Sequence, residues 1–361
     1  MSDNELRTVR QQIDQIDQDL LRLLSQRAGC ALEVARIKQA LDPEVNFYRP
    51  EREAQVLRSV MQANPGPLAD ETVAWLFREI MSACLALERP LQVAYLGPTG
   101  TFTQAAALKH FGHAVEARPV ASIPDIFREV ESGNCQYGLA PVENSSEGVV
   151  THTLDSFVNS PLHICGEVML RIHHHLLSLS PQLAAVRKVY SHQQSLAQCR
   201  GWLDHHLPQA ERVAVASNAE AARLAAQEGE GVAAIAGQSA AEIYALPQLH
   251  GNIEDDPANT TRFLVIGREQ VGPSGNDKTS LLLSTRNEAG ALHRLLAPLA
   301  QNGISMTRIE SRPSRRSAWD YVFFIDVLGH QQDPTLAAAL DQLRPQAALF
   351  KVLGSFPRAL L

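Results

Sequence analysis

Two basic residues occupy a helix face that otherwise carries apolar side chains. At 100° per residue, Arg27 and Lys38 fall within about 40° of this apolar stripe. The stripe consists of Leu20, Leu24, Ala31 and Val34. An unpaired cation buried there is costly, so an anion is expected beside each, unless both side chains extend to solvent. About 16 Å of helix separates Arg27 from Lys38, so both can converge on one small anionic molecule.

The helix that carries these cations is unusually long. The segment from Asp3 to Leu41 has no proline and a single glycine, which predicts a helix of about 55 Å. A small monomer cannot cover such a length, so a partner chain is expected. Arg10 lies about 25 Å from Arg27 along the axis, so it can join the same site only from the partner of an antiparallel dimer.

Residues 1 to about 90 resemble the all-helical chorismate mutases, a family of intertwined dimers. The resemblance rests on the order and spacing of charged residues from Leu6-Arg7 to Lys38, on Arg49-Pro50-Glu51-Arg52-Glu53, and on a third helix ending near Glu88. It implies that the two carboxylates of chorismate, its ether oxygen and its ring hydroxyl are bound by residues of two chains. These residues are Arg10 of the partner subunit, Arg27, Lys38, Arg49, Glu53, Cys84 and Glu88.

Three of these positions depart from the common pattern of that family. Arg49 stands where many relatives have aspartate, Cys84 where many have serine, and Glu88 where many have glutamine. A glutamate can donate a hydrogen bond to an ether oxygen only when it is protonated. The resemblance therefore predicts that burial raises the pKa of Glu88, unless this residue is simply solvated at a helix end.

Composition limits the classes of function. The net charge of −7 disfavours nucleic-acid and anionic-membrane partners, and the cluster of Arg312, Arg315 and Arg316 is too short to change this. Five scattered cysteines without CxxC spacing indicate free thiols in a reducing cytoplasm. From the sequence we expect neither export nor a membrane-spanning segment.

The length of 361 residues predicts two or three domains. We expect an all-α domain at residues 1–90, a two-lobed α/β domain at 92–270 with mainly parallel strands, and an α+β domain at 278–356. A flexible connector is expected at Gly272–Asp277. The last domain has the element order βαββαβ, which is typical of a ferredoxin-like fold.

The central domain resembles prephenate dehydratase and, through it, a periplasmic-binding-protein-like fold. This resemblance rests on four segments, Gly97–Phe102, Pro141–Ser145, Ser191–Gln194 and Asn259–Phe263. The resemblance implies that Thr261 is the essential catalytic residue and that Asn144 and Arg262 lie in or near the substrate site. A threonine hydroxyl can assist the departure of hydroxide by hydrogen bonding, and the loop Gly97–Thr101 can offer backbone N–H groups to a carboxylate.

Each of these motifs also has a plain structural interpretation when taken alone. Thr261 can be a β-branched residue that only opens a strand, and Gly97-Pro98 can be a simple turn. The loop lacks GxGxxG spacing, which argues against a dinucleotide cofactor. At most His173 and His175 of the His173–His175 run share a strand face, so no metal site is predicted. We expect no cofactor.

The last domain resembles the ACT regulatory domain through Asn287–Leu292 and Glu310–Pro313. The resemblance implies binding of phenylalanine at a dimer interface, and Gly290 lets the chain approach an amino acid closely. The implied effector residues are Gly290, Ala291, Leu292, Glu310, Ser311, Arg312 and Pro313. The alternative is a ferredoxin-like module that only dimerises.

Together these observations predict a cytoplasmic homodimer, or a higher homo-oligomer, with two activities. It converts chorismate to prephenate and prephenate to phenylpyruvate, and phenylalanine inhibits it. Two alternatives remain at this stage. One is a prephenate dehydratase whose helical arm only dimerises, and the other is an amino-acid-sensing binding protein that uses the same two-lobed cleft.

Overall fold

The computed structural model describes residues 3–41, 47–286, 288–313 and 321–360. Asn287, Arg315 and Arg316 lie outside this range. The described residues form two compact units. The first is drawn from Met1–Arg49, Val56–Leu91 and Phe111–Glu116, and the second from Pro50–Gln55, Gln92–His110 and Ala117–Leu361.

Three helices begin the chain. They are α1 (Asp3–Leu41), α2 (Pro50–Ala63) and α3 (Asp70–Glu88). The 39 residues of α1 correspond to about 58 Å. Acidic residues in its first turn and Lys38 in its last turn complement the helix dipole. Ala35 is the buried residue of α1, so this helix receives little cover from its own chain.

The central part of the chain folds into two lobes, each built on a mixed sheet. The strands are β1 (Gln92–Leu96), β2 (Glu116–Val120), β3 (Tyr137–Asn144), β4 (Gly148–Val149), β5 (His163–Arg171), β6 (His175–Ser178), β7 (Lys188–His192), β8 (Glu211–Val215), β9 (Val232–Ala236), β10 (Gln248–His250) and β11 (Thr260–Gly267). The six-stranded sheet of the first lobe has the order β2-β1-β3-β11-β5, with β4 paired to β3. The five-stranded sheet of the second lobe has the order β10-β6-β9-β7-β8.

Helices pack against both sheets. They are α4 (Phe102–Phe111), α5 (Ile123–Glu131), α6 (Thr151–Asn159), α7 (Gln193–Gln198), α8 (Arg200–His206), α9 (Asn218–Glu228) and α10 (Gln238–Ile243), with a 3₁₀ turn at Leu183–Ala185.

The expectation of mainly parallel strand pairing in these two sheets is wrong. The returning strand β11 runs antiparallel to both β3 and β5, and β6 runs antiparallel to β9 and β10. The chain leaves the first lobe after β5 and returns to it at β11, so β11 enters its sheet in the reverse direction.

The C-terminal domain (β12 to β15) has the predicted βαββαβ order. Its elements are β12 (Asp277–Ser284), α11 (Ala291–Gln301), β13 (Met306–Pro313), β14 (Tyr321–Leu328), α12 (Pro334–Leu343), a 3₁₀ turn (Arg344–Gln346) and β15 (Leu349–Pro357). The antiparallel sheet has the order β13-β14-β12-β15. The expected flexible connector is instead an ordered turn, because the buried carboxylate of Asp277 accepts hydrogen bonds from the N–H groups of Ser274 and Gly275.

The sheet of the C-terminal domain shares a hydrophobic core with the first lobe. Phe157 and Leu264 of the first lobe belong to the same buried cluster as Phe324 and Leu353 of the C-terminal domain. The backbones approach each other closely at Gly354, where a Cβ atom would overlap the carbonyl oxygen of Ile164. This shared core places one face of the C-terminal sheet directly against the sheet that contains β3 and β11.

Candidate functional site

The cations of α1 form one candidate site. Arg27 and Lys38 are both half-buried, and Lys38 Nζ lies 5.8 Å from the centroid of the Phe47 ring. Burial raises the pKa of Glu88 at the end of α3, and the nearby charge of Lys38 partly offsets this effect. The net direction is upward, as the resemblance predicts. Lys38 and Glu88 thus lie near enough for the charge of Lys38 to act on the Glu88 carboxyl group.

The remaining residues of this predicted set are more dispersed. Arg10 is exposed, about 25 Å along α1 from Arg27. Arg49 is exposed at the N-cap of α2, with an extended backbone. Glu53 is half-buried in the first turn of α2, and Cys84 is buried on α3. One chain therefore does not bring Arg10 to Arg27.

An exposed apolar face runs along α1. Among its members, Leu24 is 40% exposed and Leu21 is 66% exposed. The large apolar residues exposed on this helix are Leu6, Val9, Ile13, Ile16, Leu20, Leu21, Leu23, Leu24, Leu32, Val34, Ile37 and Leu41. An exposed apolar surface of this length is typical of a protein–protein interface.

A second candidate site lies where β3 ends and β11 begins. Thr261 and Asn144 are direct cross-strand partners, so their side chains project from the same face of the sheet. Asn144 Oδ1 accepts hydrogen bonds from the backbone N–H groups of Ser146 (3.0 Å) and Glu147 (3.1 Å). These two bonds fix which end of the amide carries the oxygen. Asn144 Nδ2 therefore donates to Thr261 Oγ1 (2.8 Å) and to Asn259 Oδ1 (2.9 Å).

The same direction of hydrogen bonding continues into the second lobe. Because Asn259 Oδ1 accepts from Asn144, Asn259 Nδ2 donates to Gln198 Oε1 (3.1 Å). Gln198 Oε1 also lies 2.9 Å from His174 Nε2, so this nitrogen carries a proton. Burial lowers the pKa of His174, which keeps the imidazole neutral. The backbone N–H groups of Ser146 and Glu147 thus fix which atoms donate and which accept along a series of four hydrogen-bonded side chains. The series runs from Asn144, which contacts Thr261, through Asn259 and Gln198 to His174.

This network determines what the Thr261 hydroxyl can do. Its oxygen accepts from Asn144, and an amide nitrogen cannot accept the hydroxyl proton in return. The proton of Thr261 is therefore available to an acceptor in the cleft. The half-buried hydroxyl suits the donation of one hydrogen bond to a leaving group better than it suits nucleophilic attack, which requires an adjacent base.

Acidic side chains line a cavity beside the Asn259 and Gln198 end of this network. A cavity of about 240 Å³ is lined by Gln198 and Asn259 together with Ser146, Glu147, Ala197, Glu254, Asp255 and Asp256. The Glu254 carboxylate accepts from the His174 backbone and lies 2.8 Å from His173 Nδ1. Burial raises the pKa of Glu254, but these hydrogen bonds outweigh it and hold the pKa below its usual value. Asp255 accepts from the first backbone amides of α8.

The histidine run is therefore part of a hydrogen-bonding network. Within the described ranges, no group of three or more histidine, cysteine or acidic residues is arranged to hold a metal ion. In the predicted anion loop, Gly100 N–H already donates to Gln104 Oε1 (2.6 Å), and Thr101 Oγ1 donates to the Leu96 carbonyl (3.0 Å). This loop acts as a helix cap as well as a candidate anion contact.

Arg262 does not share the face of Thr261. Its guanidinium group lies in ion pairs with Asp326 of the C-terminal domain (2.6 Å) and with Glu167 of β5 (2.8 Å). Burial lowers the pKa of Arg262, but the two carboxylates outweigh this effect and hold it above its usual value. Alternation along β11 points the Arg262 side chain away from the face that carries Thr261, so the prediction that Arg262 contacts the substrate does not fit this geometry.

The predicted effector residues lie in the C-terminal domain. Gly290 is the N-cap of α11 with φ of +73°, a conformation that favours glycine. Leu292 packs against the core of its own domain. On β13, Glu310 and Arg312 are half-buried, whereas Ser311 and Pro313 are exposed. Arg312 Nη2 lies 3.0 Å from Asp155 of α6, so this motif also contacts the first lobe.

Sequence reasoning missed part of the network around Thr261. Asn259 stands inside a recognised motif, so its proximity to Thr261 was a usable signal. Gln198, His174 and Glu254 belong to three separate segments, and no local pattern connects them.

No helix in the described parts of the chain is both long and apolar enough to span a membrane.

Comparisons with known proteins show which families the chain resembles. Three family models match the chain: Chorismate mutase type II over residues 9–89, Prephenate dehydratase over 93–271 and ACT domain over 279–345. The chain is 56% identical to a protein of Stutzerimonas stutzeri named bifunctional chorismate mutase/prephenate dehydratase, over 99% of both chains. A protein of the same name from Pseudomonas aeruginosa is also 56% identical, with the same coverage.

A solved structure supports the architecture of the second unit. The prephenate dehydratase of Arthrobacter aurescens, determined in complex with L-Phe, is similar with a TM-score of 0.69 and 33% sequence identity. The similarity covers 74% of this chain and 90% of that chain.

Proposed function

Because this chain belongs to the bifunctional chorismate mutase/prephenate dehydratase family, we propose that it catalyses both reactions. It rearranges chorismate to prephenate at the N-terminal helices and converts prephenate to phenylpyruvate in the two-lobed cleft. The observation that carries the second activity is the Thr261 hydroxyl, which accepts from Asn144 and keeps its own proton for a ligand. We propose three domains, at residues 1–90, 92–270 and 278–356.

The first reaction needs positioning and charge stabilisation. A Claisen rearrangement requires the substrate to be held in its compact conformer, and no nucleophile or metal takes part. Arg27 is suited to a carboxylate, and Lys38 to the ether oxygen on which negative charge develops. The raised pKa of Glu88 supports a protonated carboxyl that donates to the same oxygen. By the resemblance, Glu53, Arg49 and Cys84 complete the set.

The second reaction is driven by aromatisation. As CO₂ leaves, the electrons of the breaking C–C bond enter the ring, and the C–O bond breaks to release hydroxide. The Thr261 hydroxyl donates a hydrogen bond to that departing oxygen, while Asn144 holds the Thr261 oxygen in place. Neither reaction needs a cofactor.

We further propose that the chain is a homodimer, or a higher homo-oligomer, in the cytoplasm. A second copy lying antiparallel on α1 would cover its exposed apolar face and bring the partner's Arg10 towards Arg27. All five cysteines are free, which fits a reducing compartment. The ACT domain would bind phenylalanine as a feedback inhibitor, with Gly290 admitting the ligand close to the backbone.

One assay tests the proposed function. Purified full-length chain is incubated with chorismate, and prephenate and phenylpyruvate are followed with and without phenylalanine. We expect chorismate to be consumed, phenylpyruvate to appear, and phenylalanine to slow its appearance. Accumulation of prephenate without phenylpyruvate would contradict the dehydratase assignment. Unchanged chorismate, with added prephenate still converted, would leave the N-terminal helices as a dimerisation arm.

A further inference from the structure

A pair of opposite charges lies directly behind the catalytic pair of the cleft. In the register of β11 and β3, Thr261 pairs with Asn144, and the next pair is Arg262 with Glu143. Adjacent residues of a strand point to opposite faces. The Arg262–Glu143 pair therefore projects from the face of the sheet opposite to the cleft, one residue along each strand from the proposed catalytic pair.

The C-terminal domain presents a complementary pair to that face. Arg308 of β13 and Asp326 of β14 are cross-strand partners in their own sheet. Arg262 Nη1 lies 2.6 Å from Asp326 Oδ2, and Arg308 Nε lies 3.0 Å from Glu143 Oε2. Each cross-strand pair thus contributes one cation and one anion. Each of these four side chains forms an ion pair with an oppositely charged side chain of the other sheet.

The Arg262–Asp326 ion pair is buried, and other polar side chains bind both of its members. The side chains of Arg262 and Asp326 are 9% and 6% exposed. Glu167 binds both Arg262 and Lys278, and Ser280 donates to Asp326 Oδ1 (2.5 Å). Three cations (Arg262, Lys278, Arg308) and three anions (Glu143, Glu167, Asp326) balance. Loss of one carboxylate leaves an excess positive charge in this largely buried group, so the ion pairs oppose separation of the two sheets.

We propose that Arg262 and Glu143 are positioning residues for the Thr261–Asn144 pair, and that Asp326 and Arg308 of the C-terminal domain hold them in place. This inference rests on the proposed role of Thr261 in dehydration. A hydroxyl that assists a leaving group must be placed to within a fraction of an ångström, and the neighbouring peptide units of β3 and β11 set that placement. The C-terminal domain is thereby a structural component of the dehydratase site.

The test compares two aspartates that each pair with an arginine across the same interface. Asp326→Asn weakens the contact behind Thr261, and Asp155→Asn weakens the contact with Arg312, which is not adjacent to Thr261 or Asn144. In the full-length chain we expect Asp326→Asn to lower the dehydratase kcat at least tenfold with KM changed less than twofold. Asp155→Asn should stay within twofold of wild type, and mutase activity should be unchanged in both.

A second variant keeps the inference testable if Asp326→Asn folds poorly. The side chain of Glu143 is 40% exposed, so Glu143→Gln should tolerate the loss of the ion pair with Arg308 and should still lower the dehydratase kcat. Arg308→Lys keeps a cation beside Glu143 and should retain at least half of the wild-type kcat. Equal losses in Asp326→Asn and Asp155→Asn, or a wild-type kcat in Asp326→Asn or in Glu143→Gln, would overturn the inference, as would a loss in Arg308→Lys as large as that in Glu143→Gln. An inactive wild-type dehydratase would instead refute the proposed function.

Discussion

Replacing Thr261 by valine removes one hydroxyl while it keeps the branched shape that suits a strand. The hydroxyl accepts a hydrogen bond from Asn144 Nδ2 at 2.8 Å. The same nitrogen also donates to Asn259 Oδ1 at 2.9 Å, and Asn144 Oδ1 stays bound to two backbone amides. The variant therefore loses the proton offered to the leaving group, and most of the surrounding network remains.

The two consequences differ in size. Loss of one hydrogen bond to charge that develops in a transition state lowers kcat by about 10²–10³-fold. The orphaned donor of Asn144 lies in a half-buried position and costs about 1 kcal/mol of folding stability, at the low end for such groups. Thr261→Val should thus remain folded at assay temperature while its dehydratase activity falls by two to three orders of magnitude, in line with that estimate.

Both activities of the chain are measured in the same preparation. Conversion of prephenate to phenylpyruvate reports on Thr261, and conversion of chorismate to prephenate is the internal control for folding. Thr261→Ser keeps a hydroxyl and should retain much more activity than Thr261→Val. Retention of more than a tenth of wild-type kcat by Thr261→Val, or a parallel loss of mutase activity, would refute this reasoning.

Three further predictions concern the N-terminal helices. Arg27→Ala and Lys38→Ala should each lower mutase kcat/KM by about 10²–10³-fold and leave prephenate conversion intact, measured by separate assays of the two steps. The pKa of Glu88 is raised, so the donor is present below that pKa and is lost above it. The mutase rate should fall about tenfold per pH unit above this pKa, and Glu88→Gln should flatten the profile. Ile13→Lys combined with Leu20→Lys should dissociate the dimer, as measured by light scattering, because two charges would enter the apolar face of α1.

Specific outcomes would contradict these three predictions. Normal chorismate turnover in Lys38→Ala would leave the helices without a catalytic role. A wild-type mutase rate that is constant between about pH 5 and 9 would show that Glu88 does not act as a protonated donor, since an ordinary glutamate titrates near 4.3. A monomeric wild-type chain with full mutase activity would remove the need for the partner subunit's Arg10.

The sequence predicted the individual elements better than the way they connect. The period of apolar residues located α1 and the six elements of the C-terminal domain, because this signal is local. Strand direction is not local. The reversal of β11 depends on the chain leaving the first lobe and returning to it, so alternation of strands and helices wrongly suggested mainly parallel sheets.

The same distinction explains the site. Thr261 and Asn144 stand in motifs that a reader can recognise, and the resemblance named both. Arg262 stands in the same motif as Thr261, but the face to which it points depends on strand register and on carboxylates from β5 and β14. His174 and Gln198 carry no local signal, and only the folded chain brings them to Asn259.

The most direct test of two separate active sites in one chain uses two variants and both substrates. We predict that Lys38→Ala converts prephenate but not chorismate, and that Thr261→Val converts chorismate but stops at prephenate. A mixture of the two variants should then turn chorismate into phenylpyruvate. Loss of both reactions in either variant, with the fold intact, would contradict the assignment of each reaction to its own site.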